Sequence, residues 1–187
     1  MHVMVLYETE NLIIRHWKSE DAPDLFEYCS DPDATKYLTF PTYQSISEAY
    51  FRIEFMTRRY NTHKDGIDFA IELKGSQKSR IKKVIGSIGL HRFSEKRART
   101  VELGFIIHPD FQTSKYMPEA LIGMFKYIRD NNMAWRIEAI YNLENDNIGA
   151  ILTRAGMRFE GIMRKAWTDK SKQRADVALY STLVEEI

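Results

Sequence analysis

The chain has 187 residues, 44% of them hydrophobic, and this length and composition predict one globular domain over residues 1–187. Its 27 Lys and Arg residues nearly balance 26 Asp and Glu residues, so the formal charge of +1 excludes a general attraction to nucleic acid or anionic membrane. Cys29 is the single cysteine, which excludes an intrachain disulfide framework, and no apolar run approaches the roughly 20 residues of a membrane span, so we expect a cytoplasmic protein.

The first part of the chain predicts a strand and two helices. Leu12 to Arg15 is a short apolar run typical of a strand. The residues Lys18 to Asp21 then supply an N-cap and an acidic first turn for a helix from about Asp21 to Cys29. Ser45-Ile46-Ser47-Glu48 is a capping box, which predicts that a second helix begins there.

The rest of the chain alternates strand and helix patterns without a break in composition that would mark a linker. Two runs that flank a polar tract are typical of an antiparallel hairpin, Asp68 to Leu73 and Lys83 to Arg92. Four later strands and two helices follow: Thr100 to Ile107, Trp135 to Tyr141, Phe159 to Trp167 and Ala175 to Leu183, with helices near Pro118 to Asp130 and Ile148 to Ala155. We therefore predict an α/β (α+β) domain with a mixed, mostly antiparallel central sheet of about seven strands and about four flanking helices.

The segment from Val101 to Leu121, VELGFIIHPDFQTSKYMPEAL, has an order of parts that suits phosphate binding. An apolar strand runs into a His-Pro-Asp turn, a polar loop and then a helix. The start of a helix presents backbone N–H groups without helical partners and the positive end of the helix dipole, so an anion is stabilised there.

At this segment the chain resembles the GCN5-related N-acetyltransferases, in which Q/R-x-x-G-x-G/A follows the fourth strand and binds the pyrophosphate of acetyl-CoA. The resemblance extends from about residue 6 to 184 and is closest to the RimJ/RimL-like branch, which acetylates protein N-termini. Further phrases carry it in the branch's order: the opening LYETENLIIRHWKSEDAPDLFEYCSDPDATKYL, then VIGSIGLHRF, VELGFIIHPDF, EALIGMFKYI, RIEAIYNLEND and LTRAGMRFEGIMRKAW.

The resemblance implies an acyltransferase that uses acetyl-CoA as cosubstrate and a primary amine as acceptor, either a small molecule or a protein N-terminus. It also makes a homodimer an expectation, because dimers are frequent in the branch. The cofactor-binding residues that it implies are the backbone at Phe105, Ile106 and Ile107, the loop residues Gln112, Thr113, Ser114, Lys115, Tyr116 and Met117, and Asn145 before the last helix.

Glu102 is the candidate general base for this chemistry. It interrupts an otherwise apolar strand, so its carboxylate lies either at an open face of the sheet or in a buried ion pair. Related enzymes often use a glutamate here, directly or through a water, to take the proton of the amine. The alternative is a salt-bridged glutamate that only orients a neighbouring arginine.

The chain departs from the family pattern at three positions. Lys115 and Met117 replace the glycines of the phosphate loop, and a lysine does not readily adopt the positive φ or the close approach that glycine allows. Ile148 replaces the serine of the branch's N-x-x-S motif, which removes the expected proton donor. Tyr141 is a candidate donor in its place, or else a core aromatic. These departures favour a second hypothesis, a catalytically impaired CoA-binding or ligand-sensing protein.

The histidines and the single cysteine give no indication of a metal site. The five histidines are scattered, without an i, i+4 pair and without a neighbouring cysteine. His108 is expected to support the turn before Pro109.

Overall fold

The computed structural model describes residues 4–60, 62, 66–75, 82–112, 115–168, 170 and 172–187. Within them lie eight strands in one sheet and four α-helices. In chain order they are β1 (Val5–Glu8), β2 (Leu12–Arg15), α1 (Ala22–Cys29), α2 (Ile46–Arg59), β3 (Ile67–Leu73), β4 (Lys83–Ser94), β5 (Thr100–Ile107), α3 (Tyr116–Asp130), β6 (Arg136–Asn142), α4 (Asp146–Arg154), β7 (Arg158–Thr168) and β8 (Arg174–Leu183).

The sheet has the strand order β1-β2-β3-β4-β5-β6-β8-β7, and every neighbouring pair except β5 and β6 is antiparallel. The predicted mixed α/β sheet and four helices are thus confirmed, as is the hairpin of β3 and β4. The estimate of about seven strands was one short, because β1 precedes the predicted first strand and pairs with it. The four residues of β1 gave too short a pattern to predict.

The first helix lies where it was predicted, and the residue before it forms a buried ion pair. Ser19 to Asp21 form a short 3-10 turn, and α1 begins at Ala22. The Asp21 carboxylate accepts hydrogen bonds from the Arg15 guanidinium at 2.7 and 2.8 Å. The Nε of Arg15 also donates to Glu72 at 2.6 Å. Asp21 therefore neutralises a buried arginine at the start of the helix.

The capping box of α2 is confirmed. The Ser45 hydroxyl accepts from the backbone N–H of Ser47, and the Glu48 carboxylate accepts from the N–H of Ser45 at 2.9 Å. The fourth helix begins at Asp146, two residues before its predicted start.

The helices cover the two faces of the sheet. Arg52 of α2 pairs with Asp68 of β3, which places α2 on the face of that carboxylate, and α1 packs against α2. Gly123 of α3 lies close to Tyr7 and Ile14, whose side chains belong to the opposite face. A Cβ at Gly123 would lie 3.2 Å from both side chains, so the missing side chain lets α3 approach the sheet closely.

The parallel strands β5 and β6 pair only at their beginning. Thr100, Val101 and Glu102 pair with Arg136, Ile137 and Glu138, and the pairing then stops although both strands continue. The sheet therefore opens into a gap between the later halves of β5 and β6, and this gap positions the site described below.

Candidate active site

A cavity of about 570 Å³ opens at the gap between β5 and β6. The loop from Tyr37 to Phe40 and the α2 side chains Arg52 and Arg59 line one side of it. The sheet contributes residues from β3, β4 and β5, and the end of β6 with the start of α4 closes the far side. The cavity thus connects the α1/α2 face of the sheet with the gap.

Glu102 lies in this cavity, on β5. Its side chain is 14% exposed and contacts the guanidinium of Arg92 at 3.3 Å. Burial raises the pKa of Glu102, the positive charge of Arg92 opposes this shift, and the nearby carboxylate of Glu138 adds to it. Glu102 is therefore both salt-bridged, as in one sequence-based alternative, and a carboxylate with a raised proton affinity.

Two arginines neutralise the neighbouring Glu138. Arg136 donates from Nε to Glu138 at 2.8 Å, and Arg97 donates at 3.1 Å. Arg136 also forms two hydrogen bonds to Glu160, at 2.8 and 2.6 Å. This network occupies Glu138, which does not line the cavity, whereas Glu102 does.

The second carboxylate of the cavity, Asp68, is fully engaged. One of its oxygens accepts from Nε1 of Trp17 at 2.7 Å, and the other pairs with Arg52. Asp68 is 9% exposed, so it supports the wall between β3 and α2.

His91 is a cavity residue that the sequence reasoning missed. It is opposite Glu102 in the antiparallel register of β4 and β5, where their side chains share one face. Gly89 and Gly104 form the next pair on the same face of the sheet, two residues along each strand. A Cβ at Gly89 would lie 2.7 Å from Nε2 of His91, and one at Gly104 would lie 2.9 Å from the same atom, so the imidazole lies over both glycines. The sequence contains the residues of this contact, G-L-H on β4 and L-G-F on β5. Only the pairing register of the two strands shows that the histidine lies over the second glycine.

Arg92 is held by a β-bulge at the mouth of the cavity. The register passes from His91 opposite Glu102 to Ser94 opposite Thr100, so two residues of β4 oppose one of β5. Arg92 has a φ of 48°, a left-handed conformation that costs a residue with a Cβ about 1–2 kcal/mol. The bulge turns its guanidinium toward Glu102 and to 5.3 Å from the Trp167 ring.

Backbone groups of β5 face the gap at alternate residues. The N–H of His108 donates to the carbonyl of Ile85 at 2.8 Å, and hydrogen-bonded pairs of an antiparallel ladder recur at every second residue. The N–H of Ile106 therefore faces β4, whereas those of Phe105 and Ile107 face the gap. Of the three residues whose backbone was predicted to contact the cofactor, Phe105 and Ile107 therefore have an N–H group that faces the gap, and Ile106 does not.

Tyr141, Asn145 and Ile148 line the far side of the cavity. The Tyr141 hydroxyl would lie 2.5 Å from a Cβ at Gly149, so the missing side chain of that glycine makes room for it. Asn145 is the N-cap residue of α4, and its side chain makes no capping hydrogen bond to the helix.

The predicted phosphate loop lies beyond β5. Thr113 and Ser114 are outside the described residues. The N–H of Gln112 donates to the carbonyl of Pro109 at 3.2 Å, and the Tyr116 ring packs against Phe111.

Lys115 and Met117 have opposite environments at the start of α3. Lys115 is exposed and is the N-cap residue of α3, with φ −74° and ψ −8°. Met117 is 1% exposed in the core, so only its backbone could contact a ligand. The right-handed backbone at Lys115 does not require a glycine.

Within the described part of the chain, no three His, Cys, Asp or Glu side chains are grouped so that they could hold a metal ion. No helix among the described residues combines the length and apolar character of a membrane span.

Comparison with known proteins gives concordant matches. A family model described as an acetyltransferase (GNAT) domain matches residues 11–158. The uncharacterized N-acetyltransferase YoaA of Bacillus subtilis (strain 168) is 28% identical over 160 residues, which cover 86% of this chain and 86% of YoaA.

Two solved structures share the fold. The microcin C7 self-immunity acetyltransferase MccE, in complex with acetyl-CoA and AMP, matches with a TM-score of 0.79 and 17% identity over 94% of this chain and 93% of its own. The ribosomal-protein-S5-alanine acetyltransferase from Vibrio fischeri matches with a TM-score of 0.77 and 17% identity over 100% and 98% of the two chains.

Proposed function

The chain belongs to the acetyltransferase (GNAT) family of N-acetyltransferases, and from this premise we propose that it transfers an acetyl group from acetyl-CoA directly to a primary amine. The observation that carries the proposal is the gap between β5 and β6, which opens into the cavity that holds Glu102. The gap gives the thioester access to unpaired backbone groups, and the cavity gives the amine access to a proton acceptor.

The gap fits the pantetheine arm of acetyl-CoA. The backbone N–H groups of Phe105 and Ile107 lie where β6 has diverged, so they are oriented to donate to the carbonyl oxygens of an extended ligand. An N–H placed at the thioester carbonyl would also stabilise the negative charge that develops there during transfer. Asn145 and Tyr141 lie on the other side of the gap, where they could contact the same arm.

The start of α3 is the proposed phosphate site. Its first-turn N–H groups and the exposed ammonium group of Lys115 provide positive charge at one place. Lys115 thereby compensates for the loop glycines that this chain lacks.

Glu102 is the proposed general base, which receives the proton of the amine directly or through another group. An amine attacks only in its neutral form, so a proton must leave it. The raised pKa of Glu102 makes it a better base than an ordinary surface carboxylate. Tyr141 is the proposed donor to the departing thiolate, since Ile148 has no proton to give.

A protein N-terminal α-amine is the finer proposal for the acceptor. It is supported by the resemblance to the RimJ/RimL-like branch and by the fold shared with the ribosomal-protein-S5-alanine acetyltransferase. The second candidate function, a CoA-binding protein without transfer activity, is favoured by Ile148, which replaces the branch's serine.

The test has two stages. Thermal unfolding with and without acetyl-CoA measures binding, because a ligand at 100 times its Kd stabilises the native state by about 2.7 kcal/mol. Release of free CoA thiol with a panel of peptide and small amines then measures transfer. Binding with transfer supports the enzyme, and Glu102→Gln should then lower kcat while binding is kept.

Two results would contradict the proposal. Binding without transfer to any amine of the panel would favour the CoA-binding protein. The absence of a thermal shift at millimolar acetyl-CoA would contradict both candidate functions.

A further inference from the structure

We propose that His91 is the group that takes the proton from the acceptor amine, with Glu102 behind it. The inference rests on the proposed acetyl transfer and adds a residue that the family resemblance did not indicate. It depends on the position of one imidazole relative to the gap in the sheet.

The imidazole extends over the cross-strand pair of Gly89 and Gly104, which lies two residues further along β5 toward the gap than Glu102. Its Nε2 is over Gly104, the residue directly before Phe105, whose backbone faces the gap. Glu102 lies beside the part of the sheet that is still closed, because it pairs with Glu138 of β6. An amine that reaches a thioester in the gap therefore meets His91 before Glu102.

The two carboxylates of the cavity are less suited to direct contact. Asp68 is occupied by Trp17 and Arg52. Glu102 is in contact with Arg92. Histidine is also the side chain whose ordinary titration range is closest to neutral pH, which suits a group that accepts and then releases a proton.

Two glycines leave room for the imidazole in this position. A Cβ built on Gly104 would lie within 4 Å of two atoms, Nε2 and Cδ2 of His91. These are the only such heavy atoms among the described residues when Gly104 and its two chain neighbours are left out. The space above Gly104 is thus filled by the imidazole.

The proposed step balances as follows. The nitrogen lone pair of the amine forms a C–N bond to the acetyl carbonyl carbon, and the C–S bond breaks with its electron pair leaving on the CoA sulfur. The proton of the amine passes to Nε2 of His91, and the imidazolium ion then releases a proton to Glu102 or to solvent.

The first experiment removes the imidazole and supplies it again. His91→Ala should lower kcat/KM about 100-fold or more, the ordinary contribution of a general base, while the thermal shift with acetyl-CoA is kept. Free imidazole should restore part of this activity, because the variant leaves a space of its size above two glycines. It should not accelerate the wild type or Glu102→Gln, and a reaction without enzyme corrects for acetyl transfer to imidazole itself.

The second experiment displaces the imidazole without removing it. A Cβ at Gly104 would lie 2.9 Å from Nε2 and Cδ2, so Gly104→Ala forces the ring to move and should also reduce kcat/KM. In the His91→Ala background the same substitution has no ring to displace and should cost little further activity. It should, however, abolish rescue by imidazole, because the new methyl group occupies part of the ring's space.

These variants separate the possible failures. An active wild type with a His91→Ala variant within a fewfold of it would overturn the role of His91 alone. A loss that imidazole does not restore, and that is additive with Gly104→Ala, would overturn it as well, since a merely structural contact behaves in that way. A wild type that binds acetyl-CoA and acetylates no amine would overturn the proposed function together with this inference.

Discussion

At the scale of single residues, the candidate site combines groups whose environments differ from those of an ordinary surface. Glu102 is largely buried beside another carboxylate, and Arg92 is held in a left-handed conformation. Both features reduce stability, and such features are common at functional sites.

The raised pKa of Glu102 predicts a stability cost at neutral pH. Its folded-state pKa exceeds the unfolded value, so ionisation above that pKa disfavours the folded state, and the cost disappears as the pH falls below the unfolded value. Glu102→Gln should therefore be more stable than the wild type at pH 7 and lose this advantage toward about pH 4. Urea unfolding at both pH values measures this, with the exposed Glu20→Gln as control. An advantage that grows on acidification would contradict the prediction.

The positive charge of Lys115 should strengthen acetyl-CoA binding in a way that depends on the salt concentration. Lys115→Ala should weaken acetyl-CoA binding about fivefold, equivalent to about 1 kcal/mol, and the difference should shrink at high salt. Lys115→Gly should behave like Lys115→Ala, because the backbone there is already right-handed and gains nothing from the freedom of glycine. Titration calorimetry measures both, with Lys96→Ala as an exposed control. A tighter-binding glycine variant would show that the loop does require a glycine.

At the scale of elements, the position of α3 is fixed by its own first turn. The Glu119 carboxylate accepts from the Thr9 hydroxyl at 2.5 Å, from the Asn11 backbone N–H at 2.8 Å and from Asn11 Nδ2 at 2.9 Å. Burial would raise the pKa of Glu119, but these hydrogen bonds outweigh it, and the pKa is lowered. The turn between β1 and β2 thus holds the helix whose start is the proposed phosphate site.

Removal of the Glu119 carboxylate should lower the stability of the protein at neutral pH. Glu119→Ala should cost about 2 kcal/mol in urea unfolding at neutral pH, because hydrogen bonds to a charged group are lost. The stabilisation by Glu119 is present above its unfolded pKa and is lost as the pH falls through its lowered folded pKa. We expect the variant and the wild type to converge in strong acid. Equal stability at neutral pH would show that other contacts fix α3.

The sequence predicted elements better than it predicted the site, for a physical reason. The strand Thr100–Ile107 was predicted with its observed bounds, since local apolar pattern decides it. The placement of His91 against Gly104 depends on the register between two strands, which the sequence does not specify. The buried pairing of Asp21 with Arg15 likewise depends on the tertiary fold, so the sequence indicated only an acidic first turn there.

At the scale of the whole molecule, one sheet runs through all the described parts of the chain. The boundaries of 1–187 for a single domain and the homodimer both stay predictions. Trp17 is buried and bonded to Asp68, whereas Trp135 is 58% exposed, so the tryptophans lie in different environments.

A single domain should unfold in one transition. Tryptophan fluorescence and far-UV circular dichroism should give the same urea midpoint, because one cooperative unit loses its core and its sheet together. Two midpoints that differ beyond error would indicate two units. Sedimentation at several protein concentrations would test the expected homodimer.

The two glycines beneath His91 also predict how positions 91 and 104 change together in evolution. A side chain added at position 104 would occupy part of the space of the imidazole, so His91 could then no longer fill the role proposed for it. Glycine at 104 and histidine at 91 should consequently be gained and lost together among descendants of a common ancestor. Lineages that have changed one of them should carry a different proton acceptor, and they are the natural place to look for a changed acceptor amine.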